Sequence, residues 1–194
     1  MTGTRTVLSM AVLAIVFSFT VLAQTPLNDV YQVNYFSFAN ECVFGTLRIV
    51  NPGTSGGTLC ADIYVFTPDQ QMAECCGCPI TRNALVTLDI DGNLTSNPLT
   101  GVIPSTGAIK IVSSAGGSCN PSKLVPTPAL RSWATHVQSF TGPLTEGESQ
   151  AATLSSAEIT FLENRCRAIQ NNGSGQGICS CGGLTDAGPR PGCE

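Results

Sequence analysis

Leu59-Cys-Ala-Asp-Ile-Tyr-Val-Phe66 is the strongest apolar run downstream of the N-terminal stretch, and Thr67-Pro68-Asp69 stops it. An aromatic and β-branched run cut off by Pro and Asp is a strand signal. Working outward, Thr54-Ser-Gly-Gly-Thr58 precedes it as loop, and Val43-Phe-Gly-Thr-Leu-Arg-Ile-Val50 reads as an earlier strand closed by Asn51-Pro52-Gly53. Before that, Tyr31-Gln-Val33-Asn-Tyr35-Phe-Ser-Phe38 has the same character. Downstream, Leu85-Val-Thr-Leu-Asp-Ile90 and Asn93-Leu-Thr-Ser96 flank Asp91-Gly92, the residue pair of a tight type I′ hairpin. Alternating Asp89, Asp91 and Asn93 also suggest a calcium loop, but no third ligand precedes the glycine and no Glu closes the motif. Gly107 to Ser113 and Leu130 to Gln138 supply two more strands, joined through Pro121 to Pro128, an extended proline-rich connector.

Seven short strands with turn residues between them predict a mainly β fold, an antiparallel sandwich. An immunoglobulin- or fibronectin-like Greek key is the expected arrangement, although the Cys-Trp-Cys spacing of true immunoglobulin domains is absent. Past residue 143 the pattern changes. Leu154-Ser-Ser-Ala-Glu158 carries a capping box, Ser155 with Glu158, and a staple, Leu154 with Ile159. Apolar residues then recur at Ile159, Leu162, Cys166 and Ile169, and Asn171-Asn172-Gly173 ends the run. A helix over 156–171 follows, docked by that stripe.

The cysteines are Cys42, Cys60, Cys75, Cys76, Cys78, Cys119, Cys166, Cys179, Cys181 and Cys193. An even number in an exported chain reads as disulfides. The tight clusters at 75–78 and 179–181 also suit a soft metal, and Cys75-x-x-Cys78 a redox pair. Lone His136 is remote, and Pro79 follows the pair without a βαβ pattern, so disulfides are preferred. Because the helix turns back through a glycine-rich loop, Cys166 is expected to pair with Cys179 or Cys181.

Arg5, the apolar stretch Val7 to Ala23 and the small residues before Gln24 have the grammar of a secretory signal cleaved after Ala23. A membrane anchor is the rival, but Gln24, Pro26 and Asn28 interrupt the length a span needs. The expected division is therefore a signal at 1–23, a sandwich domain at 24–143, and a helix with a Cys- and Gly-rich tail at 144–194. Removing 23 of 194 residues leaves 171 and takes Arg5 away, so eight basic groups face 13 acidic ones, a net of −5. That balance disfavours nucleic acid as a partner, and no membrane insertion is expected after cleavage.

Chemistry-bearing residues are few. His136 is the only histidine, and the one stretch spelling G-x-S-x-G, Gly53-Thr-Ser-Gly-Gly57, reads as loop before the Leu59 strand rather than as a strand-to-helix elbow. Glu146 and Glu148, or Glu158 with a distant Asp, are the only glycosidase-like pairs. Trp133, Tyr31, Tyr35 and Tyr64 are candidates to stack a sugar. Asn93-Leu-Thr95 and Asn172-Gly-Ser174 match the glycosylation acceptor. Neither a catalytic residue nor a cofactor is assigned by these signals.

Several blocks carry a resemblance: Leu59 to Phe66, Cys75-Cys-Gly-Cys-Pro-Ile-Thr81, Leu94-Thr-Ser-Asn-Pro-Leu-Thr100, Arg131-Ser-Trp-Ala-Thr-His136 and Gly173-Ser-Gly-Gln-Gly-Ile-Cys-Ser-Cys181. The chain resembles a family of uncharacterised, exported, cysteine-rich bacterial proteins. The resemblance implies secretion to the periplasm, cell surface or medium, and brings no activity. The expected role is non-enzymatic: binding, adhesion or surface structure, including self-association through poorly guarded strand edges or contact with a surface glycan or protein. A small hydrolase using His136, and metal binding by the clustered cysteines, are the alternatives.

Overall fold

The computed structural model describes residues 29–37, 45–137 and 144–182. The expected leader, Cys42 and Cys193 lie outside them. Nine strands and one helix follow in order: β1 Tyr31–Ser37, β2 Thr46–Val50, β3 Leu59–Phe66, β4 Met72–Ile80, β5 Leu85–Asp89, β6 Thr106–Ala115, β7 Arg131–Val137, β8 Leu144–Glu148, β9 Gln150–Ala151 and α1 Ser156–Asn171. The strands make two antiparallel sheets, β4-β3-β6-β1-β9 and β5-β2-β7-β8. A disulfide-rich β-sandwich with a C-terminal helix is therefore the fold.

The two-residue period of β3 explains the layering. Leu59, Ala61, Ile63 and Val65 face the second sheet and meet Leu47, Ile49, Leu88 and Ala134 in the main core. Tyr64 and Phe66 point the other way, into a second core with Leu162, Cys166 and Ile169 of α1. Every residue of β3 is consequently buried, which is why its sequence is apolar on both faces, Asp62 excepted, rather than alternating. Pairing of β2 with β5 and of β3 with β6 reproduces the B–E and C–F neighbours of an immunoglobulin-type Greek key. The flanking strands are exchanged: β1 lies beside β6, where the last strand of such a domain belongs, and β7 lies beside β2, where the first belongs.

Helix α1 starts as its sequence predicts, with the Ser155 hydroxyl accepting from the Glu158 N–H. The reciprocal half of the box is not used, because the Glu158 carboxylate accepts from Lys110 and Tyr31 instead. The 120–128 connector lies across the same outer sheet face. Tyr64 donates to the Pro121 carbonyl, Arg167 to the Ser122 carbonyl, and the Thr127 N–H to the Ser113 carbonyl.

Four disulfides fasten these coverings: Cys60–Cys119, Cys75–Cys166, Cys76–Cys179 and Cys78–Cys181. The expected pairing of Cys166 with Cys179 or Cys181 is wrong, and strand alternation gives the reason. On β4, Cys75 points outward to the helix, whereas Cys76 and Cys78 point into the main core. The tail passes round the β4 edge, where the Cys75 N–H donates to Gly177 and the Cys179 N–H to Cys75. Cys179 and Cys181 thus meet the inward pair, and the strand itself separates them from Cys166.

Other expectations are corrected as well. No strand covers 93–96; Ile90–Leu94 is a single π-helical turn. Asp89 accepts from the Asp91 and Gly92 N–H groups, and Asn93 accepts from the Asp89 N–H and donates to Ser180. These side chains satisfy the backbone locally, while Ile90 and Leu94 are drawn into the core. The cysteine cluster at 75–78 lies on a strand, β4, and the sheets take in residues past 143 through β8 and β9. Gly77 is required where it stands: a Cβ there would lie 2.5 Å from the Cys119 carbonyl oxygen and 2.9 Å from Asp62 Oδ1.

Candidate functional site

His136, on β7, is buried, and its ring stacks on Tyr35 with centroids 3.8 Å apart. Burial holds the imidazole below its ordinary pKa. Its Nδ1 has no hydrogen-bond partner among the described residues. Thr145 reaches only the His136 carbonyl. A base needs an orienting acceptor on one nitrogen and a proton donor on the other, and the described residues bring neither.

Glu146 and Glu148 are on β8 rather than in a loop. Each is engaged, Glu146 with Arg48 and Glu148 with Arg131 at 3.1 Å, so neither is set aside for acid or base work. Glu158 serves Lys110 and Tyr31. Of the expected sugar-stacking residues, Tyr31 and Tyr64 are buried and Tyr35 is 50% exposed. Trp133 is half-buried, in register between Arg48 and Glu148. Asn93 is buried and hydrogen-bonded in the first glycosylation motif, whereas Asn172 of the second is exposed. The sulfurs of Cys76, Cys78 and Cys181 lie within 4.8 Å of one another, but all three are bridged. A disulfide sulfur offers no thiolate to a metal.

Two buried carboxyls stand apart from these groups. Asp62, which accepts from the Ser114 hydroxyl, is pushed up to about 6 by burial. Glu74, which accepts from the Asn97 N–H, is pushed up to about 7 for the same reason. One oxygen of each has no partner among the described residues.

What the sequence did not point to is a trough that runs from the outer face of the first sheet, beside Phe161 of α1, to the edge of the sandwich where β1 faces β8. One end, about 490 Å³, lies between the 67–70 turn, β6 and the helix. Phe66 and Phe161 face each other there, with centroids 6.1 Å apart. Lys110 Nζ sits 4.7 Å from the Phe66 ring centroid and 2.7 Å from Glu158. Arg165 lies over the Phe161 ring at 5.6 Å. The other end, about 570 Å³, is bounded by Tyr35, His136 and Gln150. Ala108 lines both ends, so they are contiguous. Gly107 permits this shape: a Cβ there would come 2.1 Å from the Phe66 carbonyl oxygen and 2.7 Å from the Phe36 ring. Phe161 was the one available sequence signal, being a large apolar residue off the 159-162-166-169 stripe.

No protein-family model matches the chain, and neither does any curated protein or solved structure. Among the described residues no helix is long and apolar enough to cross a membrane. The disulfides point to an oxidising compartment.

Proposed function

We propose that the protein is an exported binding domain that holds a small ligand in this trough without transforming it. The observation that carries the reading is the placement of aromatic side chains. Most large apolar residues of both cores are fully buried, yet Tyr35 and Phe161 stand 50% and 38% exposed at opposite ends of one concavity. A mainly apolar recess with a few polar groups is the usual form of a ligand site. The disulfide framework supports export, since such bridges persist outside the reducing cytosol.

Saturation-transfer NMR tests the proposal, with oxidised protein in medium conditioned by the cells that export it. Expected are bound solutes whose amounts stay unchanged over a day and whose signals vanish in the Tyr35→Ala/Phe161→Ala double variant. A solute consumed by the wild type and spared by His136→Ala would overturn it in favour of the hydrolase. Identical spectra from wild type and double variant would remove the trough from the account.

A further inference from the structure

The geometry of the trough assigns a ligand class: we infer that its Phe66/Phe161 end takes a small amphiphilic monocarboxylate. The apolar body would lie against the stacked pair of rings and Ala108, and the carboxylate would reach Lys110. This rests on the reading of the trough as a binding site and adds the sign and shape of the ligand.

Charge is the first argument. The chain carries only two lysines and more acidic than basic groups, so a cation beside an apolar recess is not a matter of average composition. Two cations flank one ring here, Lys110 Nζ at 5.9 Å and Arg165 Cζ at 5.6 Å from the Phe161 centroid. Glu158 is the one carboxylate paired with Lys110, and it also accepts from Tyr31. Around the Phe161 ring these groups sum to one positive charge, and Lys110 is the one charged side chain among those lining the recess itself. An ammonium has three donors; one goes to Glu158, and the lysine side chain remains 25% exposed. An incoming carboxylate can take a second donor without displacing Glu158.

Shape is the second argument. The recess of about 490 Å³ falls in the range of small-molecule sites. Its walls, Phe66, Phe161, Pro68 and Ala108, are apolar, with charged Lys110 at one end and the uncharged Thr67, Gln70 and Thr106 at the other. A ligand with one charged head and one apolar body matches that division. Because Ala108 is paired with Tyr35 and lines both ends, the recess is open across β1, and a longer chain has room to extend.

The test compares octanoate, octanol and octylamine, with 3-phenylpropionate as the aromatic arm, by NMR titration of the oxidised protein. Amide shifts at Ala108, Lys110 and Phe161 are followed. The carboxylates are expected to bind about tenfold or more tightly than octanol, the scale of one hydrogen bond to a charged group, and octylamine more weakly still. Lys110→Met should remove that preference while leaving octanol affinity within about twofold, and Lys110→Arg should restore it. Ala108→Leu should weaken octanoate more than 3-phenylpropionate by closing the way across β1 toward Tyr35. Equal binding of octanoate and octylamine by the wild type would overturn the ligand class while the trough stands as a binding site. No shift from any of the four probes would overturn both. The wild-type series decides the matter even if a variant fails to fold.

Discussion

One face of one sheet is treated in two ways. Along β3, β4 and β6 the outer face is sealed at the Cys60, Asp62 and Tyr64 end, where α1 and the connector lie over it. At the Phe66 and Ala108 end it is open. Of the four disulfides among the described residues, Cys60–Cys119 and Cys75–Cys166 fasten coverings over the sealed end, and the other two hold the tail to its edge. The trough contains none. The difference teaches that covalent bracing and open apolar surface are kept apart: stability is concentrated where the sheet is covered, which leaves the other end free to present aromatic rings to a ligand.

The bridges should differ in how much they hold. Cys60–Cys119 closes a loop of 59 residues independently of the others, so replacing both by Ala should cost about 4 kcal/mol in denaturant unfolding by the chain-entropy model. With Cys76–Cys179 in place, Cys75–Cys166 closes only the helix-to-tail segment, and its loss should cost about 3 kcal/mol. Cys78–Cys181 closes a smaller ring still, next to its neighbour in parallel register, and should cost about 2 kcal/mol. An equal loss for all three would break the picture of nested closure.

The helix allows the comparison to be made within one turn. Leu162 is fully buried in the outer core, and Leu162→Ala should cost about 3 kcal/mol. Phe161, one residue earlier and facing the trough, should cost about 1 kcal/mol as Ala, because much of its surface is already in water. Comparable thermal destabilisation of the two variants would mean that the open end is structural after all.

Burial of Asp62 and Glu74 adds a pH dependence. Their folded pKa values, about 6 and about 7, exceed the ordinary 3.8 and 4.5. Each folded carboxyl therefore binds its proton more tightly than the unfolded one. The corresponding stability is fully present below about pH 4, and is lost as pH rises through 6 and 7. His136 acts with the opposite sign, since its lowered pKa costs stability as pH falls through about 6.5. Unfolding at pH 5 and pH 8 should show Glu74→Gln flattening the dependence by up to about 3 kcal/mol. An unchanged slope would contradict a protonated Glu74.

The smallest expected effect concerns self-association. The tail occupies the β4 edge through Gly177 and Cys179, and an uncovered edge invites strand pairing. Replacing Cys179 and Cys181 by Ala should loosen that cover and produce a modest, concentration-dependent increase in size by light scattering. A variant no larger than the wild type at any concentration would show that hydrogen bonds alone hold the tail.

How much of this was legible follows from where the information lies. Leu59–Phe66 was readable because burial on both faces makes both apolar, Asp62 excepted, and α1 because its cap and stripe are local. β4 was not, since Cys75-Cys-Gly-Cys-Pro has little intrinsic preference for strand and owes its course to partners about 90 to 100 residues away. The turn at 90–94 was misread because Asp89 and Asn93 side chains, rather than the Asp91-Gly92 backbone, decide it. No motif announces the trough: Tyr35, Phe66, Ala108, Lys110 and Phe161 come from four separate elements and meet only through the register of β1, β3 and β6.

Mapping the disulfides of the oxidised protein by stepwise reduction, alkylation and tandem mass spectrometry tests the central division most directly. Cys166 joined to Cys75, with Cys76 and Cys78 joined to Cys179 and Cys181, is the expected result. Cys166 joined to Cys179 or Cys181 would contradict it, because the helix and tail would then be tied to each other instead of to opposite faces of β4.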